Sequence, residues 1–325
     1  MQGKKNPQRS FLDAEIEKQT GRPGFLDRVE AVMDWSALEP YWSQLYRKTG
    51  KPSHPPLVAF KVLLLQHWFN GLSDEDVEWQ CRDRLSFRKF LGVSRAEDIP
   101  DSTTLVRFRK RLILSGVMQA LFDVVTVQLE ARQLLLKRGT LVDATIVQSA
   151  RTPPPKWEDQ DARDTSDPDA RWASRNSRAI THGYKVHVAV DQGSELIRAL
   201  SVTPGSAHDS TQIDALLSAD TQAVYADKAY DSAARRAALR AQGIEPRILH
   251  RPRAHHPLSQ DQQRENWHWI PVRAQVERIF ADWKQRRSLR RARYVGLARN
   301  TLHAWLLATA HNLRRWTVLS QAWCL

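Results

Sequence analysis

The apolar periodicity of this sequence changes near residue 137, and the change limits the folds that the chain can adopt. Before it, apolar residues recur at the spacing of amphipathic helices. The predicted helices cover Leu57–Phe69, Ser73–Arg84, Leu105–Leu114 and Val117–Lys137. After it, short apolar runs bounded by turn residues predict strands. The pattern therefore predicts an all-α domain over residues 1–137 and a second domain over residues 138–325.

The second domain is predicted to begin with a strand meander and to continue with alternating strands and helices. The predicted strands are Thr140–Gln148, Tyr184–Asp191, Leu196–Thr203, Ala223–Asp227 and Pro246–His250. Residues 151–182 are rich in proline and charge without periodicity, so we interpret them as an exposed loop. The resulting order, β-β-β-α-β-α-β-α-α, predicts a mixed sheet with helices on its faces. It resembles the order of a ribonuclease-H-like domain, which makes the fold class α + α/β.

The charge of the chain indicates a polyanionic partner. Its 49 Lys and Arg residues outnumber 36 Asp and Glu residues, which gives a formal net charge of +13. Nucleic acid is the first candidate and an anionic membrane surface the second. No apolar run is long enough to span a bilayer, and the first residues lack the apolar core of a secretory signal. Two cysteines without a CxxC motif suit a reducing compartment, so we expect a cytoplasmic protein.

Three acidic residues lie at positions that predict a divalent-cation site. Asp143 lies inside the apolar strand Leu141–Thr145, and Asp227 ends the apolar run Val224–Ala226. An acid in such a strand is costly to bury unless it is paired or bound to a cation. Each aspartate alone is more often structural, as a strand-end cap or a turn residue. Together with Glu277, their hard oxygen donors favour Mg²⁺, or Mn²⁺ in its place.

Glu277 belongs to a helical stretch, Arg273–Lys284, with a charged row beside an apolar one. Val272, Val276, Ile279 and Trp283 form the apolar row, and Arg273, Glu277, Phe280 and Lys284 form the other. Pro271 is expected in the first turn of this helix. The simplest interpretation is a surface helix with an Arg273–Glu277 ion pair. The functional alternative places Glu277 beside the two aspartates at the edge of a cleft.

These motifs resemble those of bacterial insertion-sequence transposases of the DDE class, in the insertion-sequence-five branch. The family signature places an arginine four residues before the catalytic glutamate and a lysine seven residues after it, as Arg273, Glu277 and Lys284 are placed. The tyrosine that often precedes the arginine by three residues is replaced by Ile270, which lacks its hydroxyl. Further matching motifs are Asp143–Thr145, Asp227–Tyr230, His182–Lys185, Gly205–Asp209, Gly71–Asp74, Arg84–Gly92 and Pro100–Thr104.

The resemblance implies cut-and-paste DNA transposition. Asp143, Asp227 and Glu277 would be catalytic and would bind two Mg²⁺ ions. The enzyme would cleave strands at terminal inverted repeats and direct a 3′-OH against target DNA, acting as a homodimer on DNA. Two other functions are compatible with the sequence: a non-catalytic, domesticated DNA-binding regulator and a plain metal-dependent nuclease.

Other residues are predicted to contact DNA or to assist catalysis. Arg273 and Lys284 would contact phosphate near the metal ions. The basic helix of the first domain, Leu105–Leu114, would be either a DNA-recognition helix or a solvated surface helix. His208 would assist proton transfer or cap a helix, and Lys185 is an auxiliary residue of its motif. Trp267 and Trp269 would stack on a displaced base or, as the simpler interpretation, pack in the core. The predicted DNA-backbone contacts are Arg286, Arg287, Arg290 and Arg291, and the basic helix carries Arg107, Arg109 and Lys110.

Overall fold

The computed structural model describes residues 23–46, 53–153, 166–176, 179–252 and 256–322. The chain divides into two compact units. One comprises Met1–Leu134 with Trp305–Leu325, and the other comprises Leu135–Ala304. The long helix Leu297–Ala322 contributes to both of them. The functional boundary at 137/138 stays a prediction.

The first unit is built from helices around one that is almost wholly buried. That central helix is α3 (Pro56–Trp68). Its Lys61 is buried too and is neutralised by Glu30 at 2.7 Å, while it donates to the Phe90 carbonyl at 2.9 Å. The helices are α1 (Phe25–Val32), α2 (Glu39–Trp42), α3 (Pro56–Trp68), α4 (Asp74–Asp83), α5 (Leu85–Leu91), α6 (Ser102–Ser115) and α7 (Met118–Ala131).

The ends of these helices follow their capping residues. The Ser73 side chain accepts from the Asp76 amide at the start of α4, and Gly92 ends α5 in the left-handed conformation. The predicted helices over 57–69, 73–84 and 105–114 are confirmed to within a few residues. The predicted end of the last helix at Lys137 is wrong, since α7 ends at Ala131. Gln133 has a φ of 57°, which no right-handed helix accommodates.

No single helix among the described residues is both long and apolar enough to cross a membrane. Residues 96–115 and 118–131 meet that measure only as a pair, and the pair is bent by 86°. Leu105, Phe108, Leu121 and Phe122 of this pair are buried within the first unit.

The second unit is organised by a mixed sheet. Its described strands are β1 (Thr140–Gln148), β2 (Arg171–Asn176), β3 (Ala179–Asp191), β4 (Ile197–Pro204), β5 (Ala223–Ala226) and β6 (Glu245–Ile248). The strand order is β2-β3-β1-β5-β6, and β4 also pairs with β3. Strand β1 is antiparallel to β3 and parallel to β5, and β5 is parallel to β6. The helices of this unit are α8 (Ile213–Leu216), α9 (Ala233–Ala241), α10 (Gln260–Arg286) and the start of α11 (Leu297–Ala322).

The predicted exposed loop over 151–182 is confirmed at 151–153, which are exposed and outside any helix or strand, and is wrong at 171–176 and 179–182, which belong to strands. Residues 171–176 form β2, which pairs with β3, and Ala170 and Ala173 are buried. The strand is short and mostly polar, so it carries no alternation that a sequence pattern would reveal. Backbones approach closely here: a Cβ on Gly183 would lie 2.0 Å from the Val147 carbonyl. Residues 154–165 and 177–178 of the predicted loop lie outside the described part of the chain.

Helix α10 is longer than predicted. It begins at Gln260, where Ser259 and Gln262 form a capping box, and it runs to Arg286. Pro271 therefore lies inside the helix and not in its first turn, so that prediction is wrong. Pro271 is solvent-exposed, where the carbonyl that loses its amide partner can be hydrated. The predicted apolar row is confirmed, because Val276, Ile279 and Trp283 are buried.

Candidate active site

Asp143 and Asp227 lie just past the point where the parallel pairing of β1 with β5 ends. That pairing ends at Val142 and Ala226. Asp143 is the next residue inside β1, which continues to Gln148, and Asp227 is the first residue after β5. The Asp143 carboxylate accepts from the Ala144 amide at 2.8 Å, and that of Asp227 accepts from the Lys228 amide at 2.7 Å. The carboxyl ends of parallel strands are the usual ligand sites of α/β sheets. The sequence thus brings both predicted acids to such a place.

Alternation along the strands directs both aspartates to the face that α10 covers. Val142 and Ala226 belong to the apolar cluster on the opposite face, with Ile213 of α8 and Leu239 of α9. Side chains one residue further along a strand point the other way. Helix α10 contacts both β1 and β5 there, so its side chains meet the two carboxylates.

The side chain that meets them is Arg273. Its Nη2 atom lies 3.3 Å from Asp143 Oδ2, and its Nη1 atom lies 3.9 Å from Asp227 Oδ1. Arg273 is buried, and its Nε atom has no hydrogen-bond partner among the described residues. The ion pair with Glu277, the simplest sequence interpretation, does not occur among the ion pairs of the described residues. Arg273 instead holds the two aspartates together.

Burial and charge make Asp143 an unusual acid. Burial raises its pKa to about 6, the Arg273 guanidinium opposes this rise, and the Asp227 and Glu277 carboxylates add to it. Glu277 therefore lies near enough to act on Asp143 through its charge. Its own side chain is exposed, one helical turn beyond Arg273. Arg273 thus bridges two of the three predicted acids, and the third, Glu277, is exposed on α10.

The donor set suits a hard divalent cation. Two carboxylates already share one positive group, and Mg²⁺ and Mn²⁺ prefer such oxygen donors. Within the ranges that the structure describes, no group of three or more His, Cys, Asp or Glu side chains is arranged to hold a metal ion. The position between Asp143 and Asp227 is taken by the guanidinium of Arg273.

The basic residues beyond Glu277 differ in their surroundings. Arg286, Arg290 and Arg291 are exposed, whereas Arg287 is buried and donates to Asp282 at 3.3 Å. Arg291 also donates to the Ser149 and Ala150 carbonyls, at 3.2 and 2.8 Å. Because Arg287 serves the fold, its prediction as a DNA contact is corrected. Lys284 is half-buried.

The basic helix of the first unit is α6. Its basic residues also include both exposed and buried side chains. Arg107 and Lys110 are exposed. Arg109 is buried and forms a two-pronged ion pair with Asp74 of α4, which also accepts from Gln66 of α3 at 2.6 Å. The predicted DNA contact of Arg109 is therefore corrected: its charge joins three helices. A solvated arginine and a buried one look alike in a sequence.

The predicted auxiliary residues contact groups other than Asp143, Asp227 and Glu277. The His208 ring caps the turn Asp209–Thr211 by accepting from Ser210, as the structural alternative proposed. Lys185 donates to the Ala207 carbonyl at 2.8 Å and pairs with Asp209 at 2.9 Å. Trp269 stacks on His250 at 5.6 Å.

The neighbouring Trp267, for which core packing was the simpler interpretation, is 72% exposed. The apolar surface of this indole therefore faces solvent, and core packing is wrong for it.

Tyr230 was quoted in a motif but not predicted as a site residue. Its ring packs in the apolar cluster beneath the sheet, and its buried hydroxyl has no partner among the described side chains and backbone. Burial raises its pKa, and the carboxylates of Asp209, Asp143 and Asp227 raise it further. The motif Asp227–Tyr230 carried a signal, but only the fold brings this hydroxyl close to the acids.

Comparisons with known proteins agree with this arrangement of motifs. Residues 135–313 match the family model "Transposase DDE domain", and residues 11–111 match the model "Transposase domain (DUF772)". Among solved structures, a piggyBac transposase synaptic complex with hairpin DNA is similar at 10% identity and a TM-score of 0.43, over 91% of this chain and 74% of that one.

A Mos1 transposase paired-end complex with the left transposon end is similar at 11% identity and a TM-score of 0.21, over 95% of this chain and 91% of that one. TM-scores this low do not establish a common fold. The family models do not depend on them. Since the DDE-domain model covers more than half of the 325 residues, the chain belongs to the transposase DDE domain family.

Proposed function

We propose that Asp143, Asp227 and Glu277 are the catalytic carboxylates of this DDE-family transposase. The observation that carries the proposal is the pair of aspartates just past the end of the β1–β5 pairing, bridged by Arg273 from α10. Glu277 follows Arg273 by one turn of the same helix, and its charge acts on Asp143. Family membership implies a phosphoryl-transfer enzyme that cleaves DNA.

The two aspartates and Glu277 would hold Mg²⁺, in two ions, or Mn²⁺ in its place. Such ions would supply an activated oxygen nucleophile and would stabilise the leaving oxygen of an in-line displacement. The chain's own contribution is positional: β1 and β5 fix the aspartates, and α10 carries Glu277 to their edge. Because Asp143 is buried, solvent screens its charge weakly and its attraction for a cation is strong.

We further propose a ribonuclease-H-like arrangement and membership of the insertion-sequence-five branch. The order β4-β3-β1-β5-β6, with three antiparallel strands followed by two parallel ones, supports the first part. The spacing of Arg273, Glu277 and Lys284 supports the second. The strand β2 is an addition at the far end of β3.

DNA is the proposed partner, as terminal inverted repeats and as target. The net charge of +13 favours a polyanion, and the chain belongs to the transposase DDE domain family. Lys284 and the exposed arginines beyond α10 would contact backbone phosphates near the carboxylates. Arg107 and Lys110 would do so from the first unit. We propose that the active form on DNA is a homodimer.

The proposed reaction is cut-and-paste transposition, and two assays separate it from its alternatives. DNA that carries the inverted repeats flanking the coding region is incubated with enzyme and Mg²⁺, and cleaved strands are resolved on a gel. Loss of cleavage with retained DNA binding in Glu277→Gln supports the catalytic assignment, and unchanged cleavage refutes it. Joining of a pre-cut end to target DNA excludes a plain nuclease. A wild-type chain that binds these ends without cleaving or joining them would be a non-catalytic regulator.

A further inference from the structure

We propose that Arg273 is the built-in counter-ion of the metal-free aspartate pair and that it leaves this position when a divalent cation binds. The inference deepens the proposed function and rests on Asp143 and Asp227 being metal ligands. It assigns to Arg273 two successive partners, first the carboxylates and then phosphate.

The distances from the Arg273 guanidinium to the two aspartates are those of a group that a cation can displace. One guanidinium spans two carboxylates, with 3.3 Å to Asp143 and 3.9 Å to Asp227. Charge-assisted hydrogen bonds are usually shorter, at about 2.7–2.9 Å. The buried Arg109 is held more tightly, by both oxygens of Asp74, one of them at 3.0 Å, whereas the buried Arg287 lies 3.3 Å from Asp282. Arg273 therefore neutralises its partners without the close two-pronged pairing of Arg109.

The charge around Arg273 leaves room for a stronger cation. Asp143, Asp227 and Glu277 carry three negative charges, and Arg273 is the cation that the described ion pairs place against them. A divalent ion would balance this excess better than a guanidinium. Both cannot contact the same carboxylate oxygens, since two positive groups at that separation repel strongly in a buried site. Entry of the ion therefore requires Arg273 to move.

A DNA phosphate is the group that Arg273 would contact after it leaves the aspartates. Its long side chain starts from α10 one turn before Glu277, and its Nε atom has no partner among the described residues. A guanidinium matches the oxygens of phosphate as well as those of carboxylate. The DNA phosphate at which cleavage occurs would lie beside the bound ions. Metal binding would thus free the group that then holds the substrate.

The test is Mn²⁺ binding to the full chain without DNA, measured by calorimetry at pH 8. Arg273→Gln should bind Mn²⁺ more tightly than wild type by about tenfold, because no resident cation has to be displaced. Arg278→Gln is the matched control: it removes an arginine of the same helix that pairs with Glu195 at 2.7 Å, and it should leave Mn²⁺ affinity unchanged. Asp227→Asn should lose Mn²⁺ binding.

The outcomes separate the inference from the function on which it rests. If wild type binds Mn²⁺ and a folded Arg273→Gln binds it equally or more weakly, the inference is overturned. If Asp227→Asn binds Mn²⁺ as well as wild type, the proposed metal site itself is wrong. Should Arg273→Gln fail to fold, wild-type crystals soaked in Mn²⁺ decide. Arg273 more than about 4 Å from Asp143 supports displacement, and an unchanged ion pair beside bound Mn²⁺ contradicts it.

Discussion

Arg273 of α10 and Asp143 of β1 are 130 residues apart in sequence and form an ion pair of 3.3 Å. One partner comes from the first strand of the sheet unit and the other from its longest helix. In the metal-free protein the contact joins the helix that carries Glu277 to the strand that carries Asp143. The buried Val276, Ile279 and Trp283 hold the same helix against the sheet unit, so the relative position of Asp143 and Glu277 is a property of the fold.

Removal of Arg109 should destabilise the protein. Breaking a buried ion pair leaves Asp74 uncompensated and costs about 3–5 kcal/mol, so Arg109→Ala should lower the free energy of unfolding in urea by that order. Arg107→Ala, on the exposed side of the same helix, should change it by less than about 0.5 kcal/mol. Equal effects of the two variants would contradict the distinction between buried and surface arginines.

Among the basic residues beyond α10, DNA affinity should depend on the exposed side chains and not on the buried one. Arg290→Ala removes an exposed charge, so it should weaken DNA binding at all sequences and lower the salt slope by about one unit. Titration by fluorescence anisotropy at several salt concentrations measures this slope. Arg287→Ala should affect stability first, because Arg287 is buried against Asp282. An unchanged salt slope for Arg290→Ala would remove it from the proposed DNA surface.

A methyl group at Gly183 should disturb the pairing of β3 with β1 and β2. Its Cβ would lie 2.0 Å from the Val147 carbonyl oxygen, which belongs to the backbone and cannot turn aside. We expect Gly183→Ala to cost about 1–3 kcal/mol of stability, or more if β3 must shift. Gly24→Ala, whose Cβ meets only the Asp27 side chain at 3.4 Å, should stay within about 1 kcal/mol. Thermal unfolding compares the two, and an equally small effect at Gly183 would be inconsistent with the close backbone approach.

His187 should make the protein less stable as the pH falls. Burial lowers its pKa from 6.5 to about 4, Asp209 opposes this change and Lys185 adds to it. The unfolded chain then binds more protons than the folded chain between these two values. Stability is therefore full above pH 6.5 and falls as the pH drops toward 4, by at most about 3 kcal/mol.

The matched substitution isolates this effect. His187→Gln cannot titrate and can still bond to Thr203, which contacts the His187 ring at 2.9 Å, so its unfolding free energy should fall less steeply over that window. His268→Gln replaces an exposed histidine and should keep the wild-type slope. Urea unfolding at three pH values between 4 and 7 measures both. A wild-type slope in His187→Gln would show that another group titrates.

Much of the fold was predictable because local patterns are strong where one face of an element is buried. The predicted limits of β1 match those observed, and the Gly92 end of α5 and the Ser73 start of α4 follow from residue chemistry alone. The positions of Asp143 inside β1 and of Asp227 directly after β5 followed from the same patterns. Strand β2 was missed because its partners, and not its own sequence, make it a strand.

The surroundings of charged residues were not predictable in the same way. Arg109 and Arg287 lie in basic runs beside exposed arginines, and only tertiary packing decides which one faces inward. Arg273 was predicted to contact phosphate or Glu277, yet it bridges two aspartates that are far away in sequence. Pro271 suggested a helix start, but the capping residues at Ser259 and Gln262 begin the helix earlier. Local signals thus locate elements, and long-range contacts decide what their charges do.

Cleavage by Asp227→Asn tests the central claim most directly. The substitution keeps the size of the side chain and removes the charge that Asp227 would share with a divalent ion. Gel assays of strand cleavage in Mg²⁺, on DNA carrying the flanking inverted repeats, should show a loss of at least about a hundredfold. DNA affinity and thermal stability should stay near wild type, and Arg278→Gln should cleave normally. Cleavage by Asp227→Asn at the wild-type rate would contradict the carboxylate site.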